Sequence, residues 1–236
     1  SGQFSVSAKG TASQPVVIRG SASVALAAGS TFTADNAEYV LITDIIAPYD
    51  QAGYTFGVKR ACKFVRITKC VIGPASPGSF SSSPGNWIRI TDQSADCAID
   101  FCELRNKRRP GNGVAIDGDT SVAGYMGGCK HILVAHNDIH DFASEVTNGY
   151  EAVRFGDSGV SRTDSSSALI RNVFTNIACE PEVISAKMSR IDIYGNSIIN
   201  CVGSVVYRHG TIGFMGHNYI RGPATGSLGT KTGGFR

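Results

Sequence analysis

The chain has 236 residues, of which 42% are hydrophobic and 17% are charged. This composition is that of a globular protein and excludes a disordered chain, and no stretch approaches the roughly 18 uninterrupted apolar residues of a membrane span. The net charge of +3 is too small to argue for a nucleic-acid ligand, although basic residues gathered in one place would suit a polyanion.

Glycine is abundant, with 28 residues, and together with scattered Ser, Asn and Asp it predicts tight turns between many short strands. The seven cysteines are an odd number without a Cys-x-x-Cys pair, so neither a zinc site nor a complete disulfide framework is predicted. We expect most of them to be buried thiols. The sequence opens on Ser-Gly without an initiator Met or a signal peptide, and we expect a processed or shortened chain.

A local pattern recurs along the chain at irregular intervals. Each copy has an anchor residue, which is usually small, with an apolar residue three positions before it and another two positions after it. The anchors are Asp44, Cys70, Cys102, Asn137, Asn172, Asn196 and Asn218. A constant local pattern with variable spacing is typical of a solenoid whose strands are fixed and whose loops vary in length. A buried Asn at each bend can bond the backbone and stack on the Asn of the next coil, and Cys fills the same position as a small apolar residue.

Short segments between the anchors alternate apolar and polar residues as strands do, for example 87–90, 152–155 and 204–207. Such coils predict an all-β fold, a parallel β-helix of about seven to eight coils that forms a single domain over residues 1–236. A β-sandwich would require the spacing to be coincidental. A leucine-rich repeat would require a leucine-rich pattern, which no copy has.

Four features elsewhere in the chain have a structural interpretation. The basic run 105–109 is expected to be a solvated loop or, alternatively, a wall that attracts a polyanion. Asp117-Gly118 predicts a turn, because the later residues of a calcium-binding loop are missing. Gly156-Asp157-Ser158-Gly159 lacks the partners of a serine nucleophile. The histidines next to anchors are expected to be structural: His131, His136, His140 and His217.

Glu180 and Glu182 form the first part of a candidate site. They are two residues apart, so a strand directs both carboxylates to the same face. Two such groups repel each other unless a cation lies between them, and oxygen ligands favour Ca²⁺. Asn148, in the preceding coil, offers a carbonyl oxygen as a third ligand. The alternative is a solvated face in which the two carboxylates pair with Lys187 and Arg208, and these residues alone do not decide between the two.

Lys187 and Arg208 form the second part, because they lie on adjacent coils of the predicted solenoid. Neighbouring positive charges disfavour the charged form of a lysine, and a neutral amine can act as a base near neutral pH. Arginine stays protonated under the same conditions. Each of the two residues taken alone would be an ordinary surface cation.

Several segments, in this order, resemble one known family. They are 9–18, 148–158 (Asn-Gly-Tyr-Glu-Ala-Val-Arg-Phe-Gly-Asp-Ser), 180–187 (Glu-Pro-Glu-Val-Ile-Ser-Ala-Lys), 207–210 (Tyr-Arg-His-Gly) and 233–236 (Gly-Gly-Phe-Arg). The chain resembles polysaccharide lyase family 6, which comprises alginate lyases and chondroitinase B. The resemblance spans essentially the whole chain.

The resemblance implies a right-handed, single-stranded parallel β-helix with Lys187 as the base and Arg208 as the acid or its electrostatic partner. It also implies Ca²⁺ on Asn148, Glu180 and Glu182, where the ion meets the substrate carboxylate. Removal of the neighbouring C5 proton then leads to β-elimination and leaves an unsaturated uronate end. The implied substrate contacts are His209, Arg154, Tyr150, Tyr207 and Arg236.

The sequence departs from the family in three respects. Tyr150 stands where Gly is usual, and Met188 stands where Ser or Thr usually follows the lysine, which predicts a different subsite shape near the metal. The chain is also short, so we expect a minimal or truncated catalytic core. Its uncapped coil ends would allow self-association.

The favoured function is a secreted or periplasmic lyase whose partner is an acidic polysaccharide, without a nucleic-acid or membrane partner. Alginate is preferred as the substrate, and dermatan sulfate is the alternative. A non-catalytic polysaccharide-binding or adhesion β-helix would need only the fold. A pectin-type hydrolase would need a cluster of aspartates, which the sequence around Lys187 does not have.

Overall fold

The chain folds as short strands stacked coil upon coil, in a computed structural model that describes residues 1–21, 25–118, 127–143, 148–161, 163–223 and, by backbone alone, 232–235. Within these residues the one helical element is a 3₁₀ turn at Ser158–Val160, capped by the side chain of Asp157. No helix of the described residues is long and apolar enough to cross a membrane.

The strands are numbered in chain order. The first twelve are β1 Gln3–Val6, β2 Val16–Arg19, β3 Thr31–Asp35, β4 Glu38–Thr43, β5 Ile46–Ala47, β6 Gly53–Lys59, β7 Lys63–Thr68, β8 Val71–Ile72, β9 Gly85–Ile90, β10 Ala98–Asp100, β11 Glu103–Arg105 and β12 Val114–Ile116. The others are β13 Leu133–Ala135, β14 Asp138–His140, β15 Val153–Phe155, β16 Asp164–Ile170, β17 Val173–Thr175, β18 Glu182–Ala186, β19 Ser189–Tyr194, β20 Ser197–Ile199, β21 Gly203–Tyr207, β22 Phe214–Gly216, β23 Tyr219–Arg221 and β24 Thr232–Phe235.

The strands form three parallel sheets that run the length of the molecule. A nine-stranded sheet has the order β1-β3-β6-β9-β12-β15-β18-β21-β24, an eight-stranded sheet β2-β4-β7-β10-β13-β16-β19-β22, and a seven-stranded sheet β23-β20-β17-β14-β11-β8-β5. Successive strands of one coil contribute to different sheets, so each sheet adds one strand per coil. This is the predicted right-handed parallel β-helix.

The repeat pattern is confirmed in six of its seven copies. The apolar position three residues before the anchor forms a column of in-register partners, Ile67, Ile99, Val134, Leu169, Ile193 and Met215. The residue just before each anchor has a left-handed backbone, with φ between 51° and 67° at Lys69, Phe101, His136, Arg171, Gly195 and His217. That conformation turns the chain from one sheet to the next, and it costs energy at non-glycine residues.

An asparagine ladder compensates this cost in the later coils. The Oδ1 atoms of Asn137, Asn172, Asn196 and Asn218 each accept a hydrogen bond from the backbone N–H of the preceding anchor, at 2.9 to 3.0 Å. Their Nδ2 atoms donate to backbone carbonyls of the preceding coil at 2.8 to 3.0 Å. The ladder therefore satisfies the buried polar groups at each bend.

The first anchor, Asp44, is wrong by one residue. The pairing of Ile46 with Val71 places Ile45 opposite Cys70, and Ile45 is buried while Asp44 is half-exposed. Asp44 itself has the left-handed backbone of the preceding position, with φ of 58°. A shift of one residue exchanges the inward and outward faces, which explains why a small polar residue was mistaken for the buried one.

The basic run 105–109 is not simply a solvated loop, because Lys107 is fully buried. Its Nζ donates to the carbonyl of Gly85 at 2.7 Å and lies 3.6 Å from Asp50 Oδ1. The same atom lies 5.2 and 5.3 Å from the ring centres of Trp87 and Tyr150, which favours a cation. Burial lowers the pKa of Lys107 to about 8.

The cysteines, and His136 and His140 among the histidines next to anchors, have structural surroundings, as predicted. The seven cysteines are free thiols, and six of them are buried. His136 stacks on Phe101 of the preceding coil at a centroid distance of 5.1 Å. His140 lies between Asp141 and Glu103, at 2.6 and 3.3 Å.

Candidate active site

The outward face of the nine-stranded sheet carries side chains in rows that cross the coils, because its strands pair in register. One row passes through Gly57, Arg89, Ala115, Arg154 and Ser185, which are Cα partners in β6, β9, β12, β15 and β18. We call these five residues the arginine row. Neighbouring strands lie about 4.8 Å apart, so the row spans roughly 19 Å.

Three carboxylates meet beside one end of this row. Each of Glu151, Glu180 and Glu182 offers an oxygen, and these oxygens lie within 4.8 Å of one another. We call the three residues the carboxylate triad. The backbone N–H of Tyr150 donates to Glu180 Oε2 at 2.8 Å, and Asn112 Nδ2 donates to Glu151 Oε2 at 2.6 Å. Two of the carboxylates are thus held in place by donors from the protein.

The electrostatics of the triad fit a cation. Burial, together with the charges of Glu151 and Glu182, raises the pKa of Glu180 to about 7. Glu182 Oε2 is buried and has no hydrogen-bond partner, although burying an unpartnered carboxylate oxygen is costly. A divalent ion with oxygen ligands would relieve both the repulsion and the missing bond, and Ca²⁺ prefers this kind of ligand set. The described residues therefore fit the predicted metal.

Lys187 and Arg208 lie on the same face as the triad. Lys187 is buried, and its Nζ lies 3.3 Å from Glu151 Oε1. Arg208 is half-exposed, and its Nη1 lies 3.4 Å from Glu182 Oε1. Ala186 and Tyr207 are Cα partners, so the two cations follow them at the ends of adjacent strands. Both cations therefore contact the triad, from two successive coils.

Asp117 organises the two arginines of the arginine row. Its buried carboxylate accepts from Arg154 Nη2 at 2.7 Å and from Arg89 Nε at 3.0 Å. Beside this pair, Arg154 Nε and Ser185 Oγ are buried without a hydrogen-bond partner. Together with Glu182 Oε2, they leave several polar atoms on this face with unused bonding capacity. Asp117 thus has a role beyond the turn predicted for Asp117-Gly118.

The remaining predicted site residues differ in their exposure. Asn148 is exposed in the bend that precedes Tyr150, and His209 is exposed next to Arg208. The ring of Tyr150 is fully buried, and its hydroxyl donates to the carbonyl of Ala143 at 3.0 Å, so its side chain offers no surface to a polymer. The contribution of Tyr150 to the site is its backbone N–H.

Tyr207 does not match its predicted position either. Its Cα partner Ala186 is a core residue, and its hydroxyl donates to the carbonyl of Ile191 in the eight-stranded sheet. The ring therefore points into the solenoid and away from the outward face. Burial raises the pKa of Tyr207 to about 12. Arg236 lies outside the described residues.

Glu151 is the residue that sequence reasoning missed. Val153 and Ile184 are Cα partners, and Glu151 and Glu182 each lie two residues before one of them. Aligning the two strands by their apolar residues would have placed these carboxylates side by side. From the segment Asn-Gly-Tyr-Glu, the sequence predicts Asn148 and Tyr150 as site residues, but not Glu151.

Comparisons with known proteins agree with this architecture. The family model described as chondroitinase B matches residues 2–235. A mannuronic acid specific polysaccharide family 6 lyase from human gut microbiota is similar, with a TM-score of 0.72 and 23% identity over 92% of this chain and 49% of the other. No curated protein sequence matches the chain.

Two further solved structures share the fold. The PL6 family alginate lyase AlyGC has a TM-score of 0.75 and 23% identity, over 92% of this chain and 30% of the other. A PL6 alginate lyase in complex with a trisaccharide has a TM-score of 0.71 and 20% identity, over 99% of this chain and 48% of the other. The chain thus spans at most about half the length of these three proteins.

Proposed function

The chain belongs to the chondroitinase B family, polysaccharide lyase family 6, and from this premise we propose that it cleaves a uronate-containing polysaccharide by β-elimination. The observation that carries the proposal is the carboxylate triad with Lys187 and Arg208 in contact with it on one outward face. Carboxylates that hold a divalent cation, next to a lysine and an arginine, suit a substrate that is itself a carboxylate.

Lys187 is proposed as the base. Its amine, in the neutral form, removes the proton from C5 of a uronate. The electron pair of that C–H bond forms the C4=C5 double bond, the bond from C4 to the glycosidic oxygen breaks, and this oxygen takes up a proton. Calcium bound by the triad would supply positive charge to the substrate carboxylate, where negative charge develops as the proton leaves.

Arg208 and the surrounding residues are proposed to orient the substrate. The guanidinium of Arg208 is half-exposed, so it can face the leaving oxygen as the acid or as its electrostatic partner. Arg154 and His209 are proposed substrate contacts, because Arg154 has a buried Nε without a partner and His209 is exposed beside Arg208. Glu151 positions Lys187 through the contact of 3.3 Å, and Asn148 stays a proposed oxygen ligand in addition to the triad.

Alginate is the proposed substrate, because the similar solved structures are a mannuronic acid specific lyase and two alginate lyases. Dermatan sulfate is the second candidate, which the description of the matching family favours. Both polymers are found outside cells, and we propose a secreted or periplasmic location on that ground.

The test is the ultraviolet absorbance of the unsaturated uronate end. The chain is incubated with polymannuronate, polyguluronate, mixed alginate and dermatan sulfate, with calcium or with a chelator. We expect absorbance to rise on at least one alginate and to stop with the chelator. If absorbance rises on none of the four polymers, the proposed lyase activity is contradicted. If activity is unaffected by the chelator, the proposed role of calcium is contradicted.

Calcium binding is tested without activity, by titration calorimetry on the chelator-treated protein. We expect binding to the unaltered chain and a loss of at least tenfold in affinity for Glu182→Gln, since a neutral amide replaces a charged ligand. Glu103→Gln is the matched control, because Glu103 is a partly exposed carboxylate on the seven-stranded sheet. Equal affinities for the two variants would contradict the assigned site.

A further inference from the structure

A recess lies on the outward face of the nine-stranded sheet, away from the carboxylate triad. Its volume is about 220 Å³, and its lining includes Tyr54, Gly57, Lys59, Arg89, Thr91 and Asp92. These residues belong to β6, β9 and the two positions that follow β9. The strand of Lys187 is three strands from β9 and four from β6, which is about 14 to 19 Å.

The arginine row runs across the strands from the recess to the candidate active site. Gly57 and Arg89 form one end of that row, and Arg154 and Ser185 form the other. Asp117 contacts both arginines and so connects the two ends. A polymer that lies along the row from Lys187 would therefore reach the recess with a later sugar of the same chain.

One wall of the recess is an aromatic ring that depends on a glycine. A Cβ placed on Gly57 would lie 2.8 Å from Cε2 of Tyr54, so the Tyr54 ring rests directly against the backbone of Gly57. The hydroxyl of Tyr54 is 3.2 Å from Thr33 Oγ1, which anchors the ring at its far end. A half-buried ring held in this way presents an apolar surface with a polar edge, as an amphipathic sugar ring requires.

The charged residues of the recess suit an acidic sugar. Arg89 uses its Nε for Asp117, and 45% of its side chain remains exposed. Lys59 lies 3.8 Å from Asp35 and is 37% exposed, so it too can turn towards a ligand. Thr91 donates its hydroxyl to Asp92 at 2.9 Å, and the remaining oxygen lone pairs of the two residues are acceptors for the hydroxyl groups of a sugar. The combination favours a carboxylate and hydroxyl groups on one ring.

We propose that this recess binds an internal uronate residue of the substrate, several sugars away from the bond that is cleaved. Tyr54 supplies the surface on which the sugar ring lies, and Arg89 and Lys59 bind its carboxylate. The inference rests on the proposed function, and it adds that the chain recognises a long stretch of polymer rather than the reacting sugars alone.

The test compares substrate length. Tyr54→Ala and Gly57→Ala are assayed on trisaccharides and on polymer of the uronate that the unaltered chain cleaves. Gly57→Ala keeps every side chain of the recess but displaces the Tyr54 ring, and Gly57 has no left-handed backbone to strain. Tyr219→Ala is the control, because Tyr219 is an exposed aromatic residue on the seven-stranded sheet.

For both recess variants we expect KM on polymer to rise about three- to tenfold, with kcat unchanged and with unchanged kinetics on trisaccharides. A residue that merely stabilised the fold would affect both lengths alike. Unchanged KM on polymer in both variants, or equal losses of activity on trisaccharides and on polymer, would contradict sugar binding in the recess. Neither result would contradict the proposed lyase activity.

If the unaltered chain cleaves no polymer, the proposed function fails, and binding then tests the recess by itself. Calorimetric titration with long oligouronates would support it if Tyr54→Ala lowers the affinity and Tyr219→Ala does not. Equal binding by all of these proteins, or binding by none, would overturn it.

Discussion

Two sets of polar side chains cross the coils of this molecule, and they differ in how fully they are bonded. Inside the solenoid, the asparagine ladder from Asn137 to Asn218 uses both the oxygen and the nitrogen of each amide. On the outward face, Glu182, Ser185 and Arg154 each keep a buried polar atom without a partner. In both sets, the side chains are stacked because strands of successive coils pair in register.

The difference is the one expected between structural residues and residues of a proposed binding site. Buried polar groups are almost always bonded in folded proteins, and each exception needs a cause. The amide groups of the ladder are hydrogen-bonded within the protein, so the ladder stabilises the fold. On the outward face, buried polar atoms of Glu182, Ser185 and Arg154 have no protein partner, which fits the proposed role of this face in binding a cation and a substrate.

The largest expected effect is on activity, from Lys187→Ala. Loss of the proposed base should lower kcat per folded molecule by about 10²- to 10⁴-fold, and a melting curve gives the folded fraction, because Lys187 is buried against Glu151. Lys63→Ala is the control, since Lys63 is exposed on the eight-stranded sheet. Retention of full activity by Lys187→Ala would mean that another group removes the proton.

The opposite behaviour is expected inside the solenoid, from Asn172→Ala. Asn172 Oδ1 accepts from Asn137 N, and its Nδ2 donates to Val134 O, both at 3.0 Å. Loss of these partners should lower the free energy of unfolding by about 2 to 4 kcal/mol, with kcat per folded molecule unchanged. Denaturant unfolding measures the loss, and Gln14→Ala is an exposed control. A change below about 0.5 kcal/mol would remove the ladder as a source of stability.

A smaller effect is expected on the pH dependence of stability, through Glu180. Its pKa is raised from 4.5 to about 7 by burial and by the neighbouring carboxylates, so the folded chain holds a proton that the unfolded chain has lost. In chelator, stability should therefore fall as pH rises from about 4.5 to about 7, and Glu180→Gln should remove this part of the slope. Melting curves across that range measure it, and identical slopes for the two proteins would contradict the expectation.

An effect of similar size and opposite sign is expected from Lys107, whose buried charge has partial compensation from Asp50 and two aromatic rings. Burial lowers its pKa from 10.5 to about 8, so the unfolded chain binds the proton more tightly. Stability should then rise with pH between about 8 and 10.5, and Lys107→Met should flatten this rise. If the melting temperatures of the two proteins change with pH in the same way over that range, Lys107 does not titrate there.

Most of the fold could be predicted from the sequence, because the columns of apolar residues report strand register directly. Ile67, Ile99 and Val134 could be aligned by pattern alone, and their pairing is confirmed. Asp44 was misplaced because a one-residue shift keeps the residue types plausible while exchanging the faces. Lys107 was misjudged for a related reason: a basic run in sequence gives no information about which of its members points inward.

The candidate site was predictable only in part. Glu180, Glu182, Lys187 and Arg208 were found together, but their contact with Glu151 depends on the register between two strands of different coils. Tyr150 and Tyr207 were expected to contact the substrate, but Tyr150 is buried and Tyr207 lies in β21 opposite the core residue Ala186. Which residues share a coil can be predicted more readily than where their side chains point.

The in-register stacking of the nine-stranded sheet gives this chain a fixed unit of length. Each coil moves the outward face forward by one strand, about 4.8 Å. Removal of the coil that carries β12 would bring the recess at Gly57 one unit closer to Lys187 without changing a residue of either. On this scaffold, the number of coils between the recess and Lys187 would set the length of saccharide that the chain binds. The gain or loss of one coil would change that length by about 4.8 Å.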